Sequence, residues 1–96
     1  KLGTLIVQNN KKITTGIITD GQIRRFNETD NNLQDLTVKR VMTSSPISID
    51  QDMLAEKALS VMNTKKITSL CVHNKKNNKR TIGILHIHSI LQSNIL

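Results

Sequence analysis

Two histidines, His86 and His88, stand two residues apart in an apolar run near the end of the chain. Upstream, Cys71 and His73 repeat that spacing. Alternate residues of a strand share a face, so the two pairs, set on adjacent strands of a hairpin, would offer a Cys/His metal cluster. The spacing argues against zinc, because no Cys-x-x-Cys or His-Glu-x-x-His accompanies them. His86 reads instead as a hydrogen-bonding group for a ligand, or a positive charge when protonated. Without a ligand it would be a partly buried strand-end histidine. Cys71 reads as a small core hydrophobe. Thr19 and Asp20 open a helical pattern, where a hydroxyl or carboxylate caps the first turn. The amides of a helix N-terminus beside strand-end side chains also form a natural anion or phosphate site. Arg24 and Arg25 reach toward such an anion, or are simply solvated. There is no G-x-S-x-G, P-loop or dinucleotide fingerprint. The chain is therefore read as holding no catalytic residues and no resident metal or required cofactor.

These residues sit on a unit that is used twice. Gly16-Ile17-Ile18-Thr19-Asp20-Gly21-Gln22-Ile23 returns as Gly83-Ile84-Leu85-His86-Ile87-His88-Ser89-Ile90, and Leu5-Ile6-Val7 returns as Leu70-Cys71-Val72. The polar stretches between carry Lys11-Lys12 and Lys75-Lys76. A loop insertion of two residues in the second copy reconciles the offsets, and internal duplication governs the fold. Each copy is a hairpin, two β-branched-rich runs around an Asn/Lys turn, running directly into a helix. The spacing predicts strands near 3–7 and 13–18, a helix over 21–29 with Ile23 and Phe26 on one face, and a helix over 87–94 with Ile87, Ile90 and Leu91 on one face.

Between the copies lies a connector in which Leu36, Val38, Val41 and Met42 form a turn of helix on the core. Pro46 restarts the chain in extended form, and Ile47-Ser48-Ile49 alternates as a strand. Asp50 or Asp52 is expected to cap a helix over 51–64, with Leu54, Ala58, Val61 and Met62 on its buried face. Lys65 and Lys66 lie at its C-terminal end, where the dipole favours cations. The second copy thus reads strand, helix, strand, strand, helix, whereas the first begins at its hairpin. Either an oligomer covers the exposed part of the first copy, or the chain is part of a longer one. Its opening on Lys1, not Met, points the same way.

Glycine, two apolar residues, a threonine and an acid-bearing turn into a helix resemble the strand–helix signature of CBS (cystathionine-β-synthase-type) motifs. Thr19-Asp20-Gly21-Gln22-Ile23-Arg24-Arg25 resembles the T-D-G-D-L-R-R stretch of the CBS pair in bacterial arabinose-5-phosphate isomerases. Val41-Met42-Thr43 with Pro46, Lys65-Lys66-Ile67-Thr68-Ser69-Leu70, and His86-Ile87-His88-Ser89-Ile90-Leu91 resemble that group's V-M-T-x-x-P, K-I-T-x-L and L-H-x-H-D-L-L segments. The resemblance covers nearly the whole chain. It implies an α/β fold, a tandem CBS-domain pair (Bateman-type module) with the first repeat incomplete at its N-terminus. Residues 1–30 would be the C-terminal part of repeat 1, 31–45 the connector and 46–96 repeat 2. A sugar isomerase domain would lie upstream, interconverting ribulose 5-phosphate and arabinose 5-phosphate for octulosonate and lipopolysaccharide synthesis.

The resemblance also places a ligand. Thr19 would contact its phosphate, and Asp20, Gln22, Arg24, Arg25, His86, His88 and Ser89 would line it. Lys66, Ile67, Thr68 and Ser69 would meet its base through backbone groups. Many CBS motifs carry an Asp that binds ribose hydroxyls, and here Gln22 and Ser89 stand at the matching positions. Without the carboxylate the hydrogen bond loses its charge assistance, so a CMP-octulosonate or another sugar-acid anion is expected over adenine nucleotides. By resemblance, a homodimer or higher homo-oligomer forms through the CBS helices, with Leu54, Ala58, Met62, Ile90 and Leu91 as candidates. The rival reading is a structural CBS pair that binds nothing.

A net charge of +7 raises nucleic acid as a further alternative. The cations are dispersed over turns and helix ends, and a single Phe with no Trp or Tyr leaves no stacking platform, so no nucleic acid is expected. No run reaches the roughly 20 apolar residues of a membrane span. One cysteine, unable to pair within the chain, fits a reducing cytoplasm.

Overall fold

The computed structural model describes residues 3–28 and 35–92. The chain divides into two compact units, residues 1–46 and 47–96. Unit 1 holds strands β1 (Thr4–Gln8) and β2 (Thr14–Thr19), helix α1 (Asp20–Glu28), a single helical turn α2 (Val38–Val41) and a short strand β3 (Thr43–Ser44). Unit 2 holds β4 (Ser48–Asp50), α3 (Ala55–Lys65), β5 (Ser69–His73), β6 (Gly83–His86) and α4 (Ile87–Gln92). Among the described residues each unit contains one three-stranded sheet, ordered β1-β2-β3 and β4-β5-β6.

The duplication is confirmed residue by residue. In unit 1, Leu5 pairs with Ile18, Ile6 with Ile17 and Val7 with Gly16. In unit 2, Leu70 pairs with Leu85, Cys71 with Ile84 and Val72 with Gly83. These are the same pairs under the sequence repeat, so both hairpins share one register. Asparagine builds both turns: the Asn9 side chain accepts N–H groups from Lys11 and Ile13, and the Asn74 side chain those from Lys76 and Asn77. Such side-chain-to-backbone bonds are why asparagine dominates turns.

The sheets differ in what surrounds the hairpin. β4 lies parallel to β5, joined to it through α3, the connection that parallel strands require. β3 lies antiparallel to β2. The core of unit 2 gathers Ile49, Ala58, Met62, Leu70 and Ile90 between the sheet and the two helices. Unit 1 buries Ile17, Ile18 and Val41.

Several sequence expectations shift. The helix expected over 51–64 starts at Ala55, with Leu54 as an N-cap that makes no side-chain capping bond. Asp50 instead accepts the Asp52 N–H on its side chain and the Met53 N–H on its carbonyl, so the local turn outcompetes helix there. Leu54, expected on the buried face, is 76% exposed, while Ala58 and Met62 fill the core. Because Ala58, Met62 and Ile90 are consumed internally, they leave the set of oligomer-contact candidates, and Leu54 and Leu91 remain exposed. Of the connector's apolar residues Val41 is buried and Val38 exposed. Thr29 at the end of the first predicted helix, Asp30, the connector residues 31–34, and residues 93–94 of the last predicted helix lie outside the described residues.

Candidate ligand-binding junctions

Each hairpin delivers one strand end directly into a helix, and the two junctions are built with different chemistry. In unit 1, Thr19 ends β2 and caps α1. Its backbone N–H donates to Gln22 Oε1 at 2.7 Å, its hydroxyl to the same oxygen at 3.2 Å, and the Gln22 N–H returns a bond to Thr19 Oγ1 at 3.3 Å. This is a reciprocal capping box, with Thr at the cap and Gln three residues on. The Gln22 amide then donates from Nε2 to Thr43 Oγ1, tying the α1 start to β3. Gln22 therefore spends both ends of its side chain within unit 1. Asp20 donates its N–H to the Gly3 carbonyl at 2.7 Å. Gly3 has a φ of +48°, and a Cβ there would lie 2.8 Å from the Asp20 carboxylate. Glycine is needed at that spot on both counts. Arg24 and Arg25 are exposed on α1, and the Arg25 guanidinium lies over Gly21.

In unit 2, His86 takes the place of Thr19. The His88 N–H donates to His86 Nδ1 at 3.2 Å, so an imidazole caps α4. With Nδ1 accepting, the ring proton sits on Nε2, which presents a donor. The His86 and His88 rings stack at 4.8 Å between centroids. His86 pairs across the sheet with Ser69, and the Ile87 N–H donates to the Thr68 carbonyl at 2.8 Å. Thr68, Ser69, His86 and His88 are thus brought to one junction. Lys66, in the left-handed conformation with φ 57°, closes α3 and turns the chain toward it. The N–H groups of Lys66 and Ile67 both go to the Met62 carbonyl. Ile67 packs against the core, and Ser89 is exposed.

The Cys/His pairs do not form one cluster. Cys71 faces Ile84 across the hairpin, His86 faces Ser69, and His88 stands on the helix. Among the described residues no group of three or more His, Cys, Asp or Glu is placed to hold a metal ion. Cys71 is 0% exposed, and burial pushes its thiol pKa up, opposed by a side-chain hydrogen bond with Thr81.

Two polar contacts escaped the sequence reading. Thr43 partners Gln22, and Ser48 Oγ lies 2.6 Å from His73 Nδ1. The second follows from the parallel register that sets Ser48 opposite Cys71, which spacing along the chain does not encode. The first had a visible clue, a threonine just before Pro46, but a two-residue strand carries no periodicity to place it.

Comparison with known proteins agrees with this architecture. The family model described as CBS domain matches residues 38–94. Arabinose 5-phosphate isomerase KdsD of Escherichia coli (strain K12) is 30% identical over 95 residues, covering 99% of this chain and 28% of the relative. The chain thus spans less than a third of that enzyme. The CBS domain pair of protein MJ0100, in complex with 5′-methylthioadenosine and S-adenosyl-L-methionine, superposes with a TM-score of 0.81 at 20% identity, covering 95% of this chain and 68% of that one. CBS domain protein PAE2072 from Pyrobaculum aerophilum, complexed with AMP, gives 0.78 at 21% identity over 95% and 72%. At such identity the structures establish the fold alone, a mixed α/β tandem CBS pair. With the family match over more than half its length, the chain belongs to the CBS domain family.

Proposed function

We propose that this chain is the regulatory, ligand-sensing CBS pair of an arabinose-5-phosphate isomerase. The observation that supports this is the match to KdsD along 99% of the chain at 30% identity. The parent would interconvert D-ribulose 5-phosphate and D-arabinose 5-phosphate in the cytoplasm, through a sugar isomerase domain outside these residues. The unit-2 junction is the better candidate receptor. His86 offers an Nε2–H donor, with His88, Ser89 and the Thr68 carbonyl beside it. Hydrogen-bond donors with nearby cationic residues suit an anionic ligand. At the other junction Thr19, Asp20, Arg24 and Arg25 would serve the phosphate, and the Gln22 side chain would take part only by leaving its present bonds. Base contacts through the backbone of Lys66, Ile67, Thr68 and Ser69 would rely on carbonyls at the first two, whose N–H groups are occupied.

AMP and S-adenosyl-L-methionine in similarly folded pairs favour a nucleotide-type ligand for this chain too. The carboxylate-free Gln22 and Ser89 turn the preference toward CMP-octulosonate or another sugar-acid anion. Calorimetry with CMP-octulosonate, CMP, AMP and ATP tests this. Tighter adenine-nucleotide binding refutes the preference, and silence from all four removes the sensing role. That silence would favour a second reading, a structural pair that holds an isomerase homo-oligomer together. One observation supports it: Thr19 and Gln22, both expected at the ligand, are bonded to each other, and Gln22 also to Thr43. The exposed Leu54 and Leu91 would then carry the helix-mediated contact.

A further inference from the structure

The charges of unit 2 are sorted rather than mixed. Its three acidic residues, Asp50, Asp52 and Glu56, fall within seven positions, and no acid follows Glu56 in the chain. Lys75, Lys76, Lys79 and Arg80 fall within six positions, in the turn between β5 and β6. Register brings the two sets to one end of the sheet. Asp50 and His73 pair as the last residues of the parallel strands β4 and β5, and the Gln51 N–H donates to the His73 carbonyl at 2.8 Å. The acidic segment and the basic turn both leave the sheet at that level. Asparagine holds the turn: the Asn74 side chain accepts the Lys76 N–H, and the Asn77 side chain the Lys79 N–H. Asp52, Glu56 and all four cations are exposed, and among the described residues neither set forms an ion pair. Lys57, the next residue on α3, lies roughly 100° round the helix from Glu56 and so faces another way.

Each set also carries one large apolar side chain that the fold leaves out. Leu54, between Asp52 and Glu56, is 76% exposed, and Ile82, just after the basic turn, is 50% exposed. The counterpart turn of unit 1, between Val7 and Gly16, is two residues shorter and carries only Lys11 and Lys12. A surface with an acidic set and a leucine beside a basic set and an isoleucine is complementary to itself under a twofold axis, which makes each contact twice. Single surface ion pairs contribute little, but several charges brought together act as a network. Within one copy the two sets stand side by side on separately fixed turns; between two copies they can face each other. We propose that unit 2 docks on a second copy of the chain through this end of its sheet. The 50–56 segment of one copy lies against the 75–82 turn of the other, with Leu54 packed on Ile82. The two leucine–isoleucine contacts supply the apolar centre, and the charges supply the rim and the orientation. Leu91 and α4 take no part.

The test is analytical ultracentrifugation of the chain and two charge-reversed variants, Asp52→Lys with Glu56→Lys, and Lys75→Glu with Lys76→Glu and Lys79→Glu. All five positions are exposed, where substitutions leave a fold nearly undisturbed. The unaltered chain should self-associate, about tenfold more weakly as salt rises from about 0.01 M to about 0.1 M and the screening length falls from about 30 to about 10 Å. Each variant alone should associate at least about tenfold more weakly still. An equimolar mixture of the two variants should associate at least about tenfold more tightly than either alone, because opposite charges then meet at both contacts. Leu54→Asn should weaken the association, and Leu91→Asn should not. A chain that stays monomeric at millimolar concentration in low salt overturns the proposal. So does association that ignores both reversals or Leu54→Asn, or a mixture no tighter than its components. Loss of association in Leu91→Asn would place the contact on the helices and overturn it as well.

Discussion

Leu5 and Leu70 hold the same position in two hairpins of identical register, yet Leu5 is 61% exposed and Leu70 is 0% exposed. The hairpins do not differ in kind; their neighbours do. In unit 2 the parallel strand β4 lies on the outer side of β5, and α3 lays Ala58 and Met62 over it. In unit 1 the added strand lies on the opposite side, beside β2. Among the described residues, one repeat is therefore buttressed at its first strand and open at its second, and the other is the reverse. A repeated sequence fixes the pairing within a unit, whereas burial depends on which further elements reach each edge.

The largest test of this difference removes the same side chain from both hairpins. Leu70→Ala should cost about 2–5 kcal/mol, the range for a buried leucine. Leu5→Ala should stay within about 0.5 kcal/mol, as for exposed sites. Urea denaturation of the two variants measures both. Equal losses would mean that Leu5 is covered in solution and that the asymmetry is false.

Next come the two glycines. Gly16→Ala forces Met42 and the Thr43 backbone aside, and should cost about 1–3 kcal/mol. Gly83→Ala enters open space and, by restricting the unfolded chain, should be neutral or stabilise by up to about 1 kcal/mol. Thermal melts of the pair resolve the sign. A destabilising Gly83→Ala would show that this space is already filled.

The two helix starts give a smaller contrast. Gln22→Ala breaks the capping box and the bond to Thr43, and should cost about 1 kcal/mol, within the range for caps. The matching Ser89→Ala touches an exposed side chain and should cost less than about 0.5 kcal/mol. Amide exchange at the first turn of α1 against that of α4 is the local readout.

The smallest effect is in pH. The folded-state pKa of Cys71 is raised, so its neutral thiol is the form that the fold favours. Its contribution is fully present below the unfolded value of 9.0 and is lost as pH rises from there through the folded pKa. Above pH 9 the chain should lose stability more steeply than a Cys71→Ala variant does. Ile6, the partly exposed counterpart of Cys71, gives unit 1 no such titrating group. Parallel slopes for the two proteins would show that the thiol is not desolvated.

Much of this was visible along the chain. The repeat of Gly16-Ile17-Ile18 as Gly83-Ile84-Leu85 identified the hairpins, because strand pairing follows apolar pattern and turn chemistry, both local. Thr19 at the strand end announced a cap, whereas Gln22, its capping partner in the fold, reads in sequence only as a ligand group. The start of α3 was misplaced because Asp50 serves a turn as readily as a helix cap. Leu54 fits a helical stripe in sequence, yet it stands at the N-cap, outside the helix, where the stripe no longer governs its direction.

By itself the sequence determined which segments pair, where each strand hands over to a helix, and that no familiar catalytic motif is present. These properties rest on near neighbours and short periodicities. Only the tertiary structure decided that Gln22 is bound to Thr43, that Cys71 and the His86–His88 pair point at different partners, and that Gly16 is covered whereas Gly83 lies open. The Gln22 bond and the cover over Gly16 both depend on β3, a strand arriving from elsewhere in the chain. The placement of a short strand is set by what it meets at the edge, and a two- or three-residue pattern is too brief to record it.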